Sequence, residues 1–200
     1  LASAAKVGAW FQNEDARTAL GWLARSAPAA VLPDRFGVWD AYLFGPPAAV
    51  ADHVVQADEI LDIEEDATAP APAGEIRVGW GRIWANYRQG DLAPGLTGTE
   101  AVERLTAEYR WATIEDAVVK ARHPRTWRTI EITTALRTRA EAEALAATLK
   151  ALFGLSSAGE PRRMRRVTVE LTDARLAARL GQTVDLQAAE LGAAGRYLLL

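Results

Sequence analysis

Thr138 and Glu141 place the tightest constraint on this chain. They stand three residues apart just before an apolar run, the spacing of a capping box. In that motif the threonine oxygen takes one free amide and the glutamate reaches back to another. Ala142, Leu145, Leu149 and Leu152 then recur as a single helical stripe, and Gly154 stands where a left-handed terminus is wanted. The spacing predicts a helix over Arg139–Phe153. Its leucine face needs a sheet to cover it.

Alternating residues supply the strands. In "EIRVGWGRIW", Ile76, Val78 and Trp80 alternate with Arg77, Gly79 and Gly81, a strand with one face buried. "AEYRWATIED" and "TWRTIEITTAL" alternate likewise, and Thr97 to Leu105, before them, fits a short helix. Further strands are expected at Ile60–Ile63 and in "RRVTVEL". A helical turn capped by Asp173 and stopped at Gly181 follows, and "TVDLQAAELGAAGRYLLL" reads as strand, turn and strand. Upstream, Asn13 to Ala27 has a helical pattern with Asn13 as cap and Pro28 as stop. "AVLPDRFGVWDAYLF" then reads as a hairpin whose second strand is covered on both sides. "EEDATAPAPAG", residues 64–74, is either a linker or the loop of a long hairpin. The division expected is a small helix-and-hairpin domain over 1–73 and a β-domain over 74–200 that holds helix 139–153.

The chemical inventory is sparse. With no cysteine in 200 residues, disulfides, thiolate metal sites and cysteine nucleophiles are excluded. His53 and His123 lie in unrelated contexts and fall short of the three or four ligands of a zinc site. The acidic run Asp58, Glu59, Asp62, Glu64, Glu65 and Asp66 lacks the central glycine of a calcium loop, so it reads as a charged loop, with hydrolase carboxylates as the other possibility. "GWG" at 79–81 has no phosphate-loop lysine. No catalytic, cofactor-binding or metal site is expected.

Arg162, Arg163, Arg165 and Arg166 crowd into five positions, yet the chain is −3 overall and no aromatic lies between Phe153 and Tyr197. A basic strand edge or interface fits better than specific nucleic-acid binding, which wants stacking aromatics or a helix for a groove. No apolar run approaches the ~20 residues that span a bilayer, so no membrane anchor is expected. Seven tryptophans are many for this length. Trp80, Trp84, Trp111 and Trp127 fall on expected strands, which suits core packing or, alternatively, a subunit interface. Trp80, Trp84, Tyr109 and Trp111, with the four arginines, are the candidate interface residues. The missing initiator methionine and the apolar ending "GRYLLL" read like an excised piece whose last strand is cut short.

Taken together, "AEAEALAATLKALF", "RRVTVEL", the corner "RLGQTVDL" and the return "GAAGRYLL" resemble the barrel domain of phage tail hub proteins, a family that includes baseplate hubs and gene transfer agent hubs. "VGWGRIW", "AEYRWATIED" and "ARHPRTWRTIEITTAL" are similar to the first half of that domain, and "ALGWLARSA" with its hairpin to the smaller domain beside it. Gln182 departs from the family, which often has an acidic residue after the corner glycine. The resemblance implies an α+β fold with an antiparallel, barrel-like β-domain, and a non-enzymatic virion structural protein. It implies a homotrimer that joins tail tube to tip or fibre proteins, assembled in the bacterial cytoplasm and located in the tail of a phage-like particle. A receptor- or carbohydrate-binding module of the tail tip is the alternative.

Overall fold

The computed structural model describes residues 7–9, 11, 14–34, 36–65, 70–96, 99–156, 159 and 164–200. The fold is α+β. In chain order its elements are α1 (Ala16–Ala24), β1 (Ala29–Pro33), β2 (Trp39–Leu43), β3 (His53–Gln56), β4 (Ile60–Glu65) and β5 (Ala73–Trp80). There follow α2 (Glu100–Thr106), β6 (Arg110–Glu115), α3 (Ala117–Arg122), β7 (Arg128–Thr133) and α4 (Arg139–Phe153). The chain ends with β8 (Arg165–Val169), α5 (Asp173–Leu176), β9 (Thr183–Ala188) and β10 (Ala193–Leu198).

Helix α4 has the bounds its capping box predicts: Thr138 accepts from the Glu141 amide and the Glu141 side chain returns to the Thr138 amide. Ala142, Leu145, Ala146 and Leu149 are buried against Ala73, Ile76, Val78 and Ala112, while Leu152 is only partly buried. At ~25 cal/mol per Å² of apolar surface, such leucines each contribute roughly 1.5–3 kcal/mol. Gly154 corrects one expectation. It is extended, at φ −84°, and not left-handed. Its glycine is needed because a Cβ there would lie 2.6 Å from the Lys150 carbonyl oxygen.

That core rests on a three-stranded sheet in the order β6-β5-β7. β5 pairs antiparallel with β6 and parallel with β7, because α3 carries the chain across the end of β5. Two buried hydroxyls at the far end are satisfied: Thr134 Oγ1 donates to the Gly79 carbonyl at 2.7 Å, and Ser26 Oγ accepts from the Ala135 amide at 2.8 Å.

A second core joins distant segments. β9 lies between β10, antiparallel, and β3, parallel, while β4 pairs antiparallel with β8. Val55, Val184, Leu186 and Ala193 are buried here, with Ile63, Val167, Val169 and Tyr197 packed against them. Strands from the first 73 residues are thus tied to the last third of the chain. Since β4 pairs with β8 and not with β5, residues 64–74 connect two sheets rather than closing a hairpin. Residues 66–69 of that connection lie outside the described residues.

Other local expectations shift. Helix α1 is capped by Asp15, whose carboxylate accepts from Thr18, and the expected cap Asn13 lies outside the described residues. The Thr18 hydroxyl, then its amide, hold the Asp15 carboxyl below its usual range. The β1–β2 hairpin forms as expected, but only Tyr42 of β2 is buried, so the second strand is not covered on both sides by the described residues. Thr172, not Asp173, caps α5. Trp84 and Trp127 lie outside strands, one beyond β5 and the other just before β7.

Candidate assembly surface

The pleat of β5 sorts its side chains. Ile76, Val78 and Trp80 face α4 together with Ile114, Ala112 and Arg110 opposite them on β6. Trp80 is therefore on the core side, and the Arg110 guanidinium lies 4.1 Å from its ring centre. The opposite face carries Arg77 and Gly79, paired with Thr113 and Trp111 on β6 and with Glu131 and Thr133 on β7. This face is not covered by the helix.

Gly79 lets aromatic rings lie flat on that face. A Cβ there would sit 3.2 Å from Trp111 and 3.3 Å from Tyr109, tighter than ordinary contact. Arg77 holds the assembly from the side: its Nη1 lies 2.7 Å from Glu131 and its guanidinium 4.8 Å from the Trp111 ring. Arg82 continues the row. It pairs with Glu108 at 2.8 Å and lies 4.0 Å from the Trp84 ring, 5.6 Å from Tyr109 and 5.8 Å from Trp22. Trp22 meets Trp84 edge-on at 6.1 Å, and Phe11 meets Trp22 at 5.7 Å. A strip of alternating aromatic rings and guanidinium groups thus runs from Phe11 to Glu131. Each arginine–ring contact is worth ~0.5–1 kcal/mol at an exposed site. Tryptophan, tyrosine and arginine are also the residue types that dominate binding hot spots.

Lys120 of α3 reaches carboxylates of the same sheet, 2.9 Å from Glu115 and 3.5 Å from Glu75, with its ammonium 4.8 Å from the Trp127 ring. The hydrogen bond to Glu115 leads the causes that raise its pKa. Among the described residues no group of three or more histidines and carboxylates is placed to hold a metal ion. His53 contacts Gln182 at 3.0 Å, and His123 ends α3 with its amide bonded to the Val119 carbonyl. They stand on separate elements. The acidic run is not a loop but a helical turn and strand β4. Glu59 binds Arg175 at 2.7 Å and Glu64 faces Arg166 at 3.6 Å. Asp66 lies outside the described residues.

No protein-family model and no curated protein matches the sequence. Among solved structures the chain superposes on the crystal structure of the tail protein from Neisseria meningitidis MC58, with a TM-score of 0.52 over 96% of this chain. The two chains share this fold. The sequences are 13% identical, and this chain spans 51% of the tail protein's length.

Of the eight residues singled out in the sequence, the structure brings Trp84, Tyr109 and Trp111 into one strip and places Trp80 on the other side of the sheet. Arg165 and Arg166 lie far away in sequence on β8; Arg165 donates to the Gly192 carbonyl at 2.8 Å and lies 6.0 Å from the Tyr197 ring. Arg162 and Arg163 lie outside the described residues. Phe11, Trp22, Arg77 and Arg82 belong to the strip but were not apparent from sequence. Arg82 and Trp84 stand two apart in the sequence, and that spacing was the one local signal that could have found them.

Proposed function

We propose that this chain is a structural component of a phage-like tail, part of the hub that joins the tail tube to the tip or fibre, with no enzymatic role of its own. The fold it shares with a tail protein over 96% of its length carries this reading. The strip of tryptophan, tyrosine and arginine on the sheet face opposite α4 supports it, since such a surface suits a stable protein contact. The hub works as a homotrimer, in the bacterial cytoplasm during assembly and then in the particle, where this strip meets a neighbouring tail protein. No helix among the described residues is long and apolar enough to cross a membrane.

Images of particles carrying a tagged copy test the placement: density at the junction of tube and tip is expected, and density at the fibre ends would favour a receptor-binding module instead. Trp111→Glu tests the surface. The variant is expected to stay folded, because Trp111 lies opposite the α4 core, and to lose assembly. Unaltered assembly would remove the strip from the interface, and glycan binding lost in a Trp84→Ala variant would favour the carbohydrate module.

A further inference from the structure

β10 is the outer strand of its sheet, in the order β10-β9-β3, and among the described residues only β9 pairs with it. One end of the strand fixes which backbone groups are free. The Leu199 amide donates to the Gln182 carbonyl and the Leu199 carbonyl accepts from the Gly181 amide, so both groups of Leu199 turn toward β9. In an antiparallel pair that orientation alternates, so Tyr197, Gly195 and Ala193 face β9 as well. Ala194, Arg196 and Leu198 then turn their amides and carbonyls outward, where no described backbone group meets them.

That edge borders a cleft of about 1400 Å³. Ala194 to Leu200 all line it, with side chains of both parities, as happens where a cleft follows the edge of a strand rather than one face. The two faces differ. Ala193 is buried and Tyr197 and Leu199 pack on the second core, whereas Ala194 and Arg196 are exposed. Leu149, Leu152 and Phe153 of α4 line the same space, which suits apolar side chains on an incoming strand.

An unpaired edge is a template for another strand, and Arg196 selects which one. A second β10 laid antiparallel about the middle of the first would set Arg196 against its own counterpart, and like charges opposite one another destabilise a pair. Arg196 has no carboxylate partner among the described residues, nor do Arg25 and Arg128 of the same cleft, while Arg165, Arg166 and Arg175 are engaged within the fold. We propose that the free edge of β10 takes an extended strand from a partner protein, apolar on the Tyr197 face and acidic on the Arg196 face. Main-chain hydrogen bonds supply the strength of such a contact and alternate side chains its selectivity. The contact rests on the assembly reading above for its partner and uses none of the residues of the aromatic strip.

A short labelled peptide of alternating valine and glutamate tests this by fluorescence anisotropy with the whole chain. Binding is expected, and a valine–lysine peptide is expected to bind about tenfold more weakly. Arg196→Glu, at an exposed site, is expected to keep the native circular dichroism and to reverse that preference. Amides of alternate residues in a strand point the same way, so N-methylation of one set, the valines or the glutamates, is expected to abolish binding and of the other set to spare it. No saturable binding of the glutamate peptide, equal effects of the two methylated sets, or equal binding of the two charges overturns the proposal. Self-association of the wild-type chain that the peptide competes away also overturns it, since a second copy then holds the edge. Failure of the peptide, with the chain seen at the junction of tube and tip, removes this contact and keeps the tail reading. Peptide binding by a chain that is absent from particles keeps the contact and sinks the tail reading.

Discussion

Lys150, in the last turn of α4, reaches the carboxylate that caps α3: its Nζ lies 3.1 Å from Asp116 Oδ2. The other oxygen, Oδ1, accepts from the Val118 and Val119 amides at 3.0 and 3.1 Å. One side chain thereby satisfies two free amides of a short helix and fastens it to the helix that covers the main core. The Asp116 amide donates to the Gly74 carbonyl at 2.9 Å, which ties the same point to β5.

Asp116→Ala removes the cap and the link together. A loss of ~1–2 kcal/mol is expected from the cap. Asp116→Asn keeps an acceptor for the amides and is expected to lose less. Denaturant titration of both variants checks the order, and an alanine variant as stable as the wild type would remove Asp116 from the joint.

The same carboxylate predicts a response to acid. Burial pushes the Asp116 carboxyl up, but the Val119 amide and Lys150 outweigh it and hold the pKa below its usual value. The Gln56 amide, and then Arg175, do the same for Glu59. Both groups release protons more readily when folded, so their stabilisation is fully present above the ordinary carboxylate range near pH ~4. It is lost as pH falls through the lowered values. Stability measured from pH 7 downward is expected to hold until about pH 4–5 and then decline, with a shallower decline in Asp116→Asn.

Leu149 is 8% exposed and sits in the centre of the α4 face. Leu149→Ala is expected to cost ~2–5 kcal/mol, the range for leucine truncation in a packed core. A change of a few tenths of a kcal/mol in urea would show that this face is not the one buried.

Gly181 turns the corner into β9 with φ +80°, and a Cβ there would collide with the Leu43 carbonyl oxygen. That oxygen is backbone and has no rotamer by which to move. Gly181→Ala is expected to lose ~1–3 kcal/mol, combining left-handed strain with the collision. Thermal melting reads it directly, and an unshifted midpoint contradicts the geometry.

The arginines of β8 are engaged within the fold, Arg165 with the Gly192 carbonyl and Arg166 with Glu64. DNA binding is therefore expected to be weak, indifferent to sequence and abolished as salt rises. Sub-micromolar affinity at physiological salt would revive a nucleic-acid role.

Helix α4 and the alternating strands β5, β6 and β7 were legible because their signals are local: a cap three residues from its partner, a stripe with the helical period, and alternation with period two. The hairpin was legible for the same reason. Caps were less so, since several polar residues near each start compete and only the folded path selects one, as Thr172 does over Asp173. Strand partners lay beyond local reading. His53 aligns with Val184, Ile63 with Val167, and β7 joins β5 in parallel after crossing its end. Which strands pair depends on the apolar surface buried when distant segments meet, a sum over both partners that neither stretch contains alone. The strip from Phe11 to Glu131 arises in this way. The sequence determined that its rings and arginines would lie on sheets and helices of a given period, and the tertiary fold decided that they would touch, because only the packing of β5 between β6 and β7 sets those faces side by side.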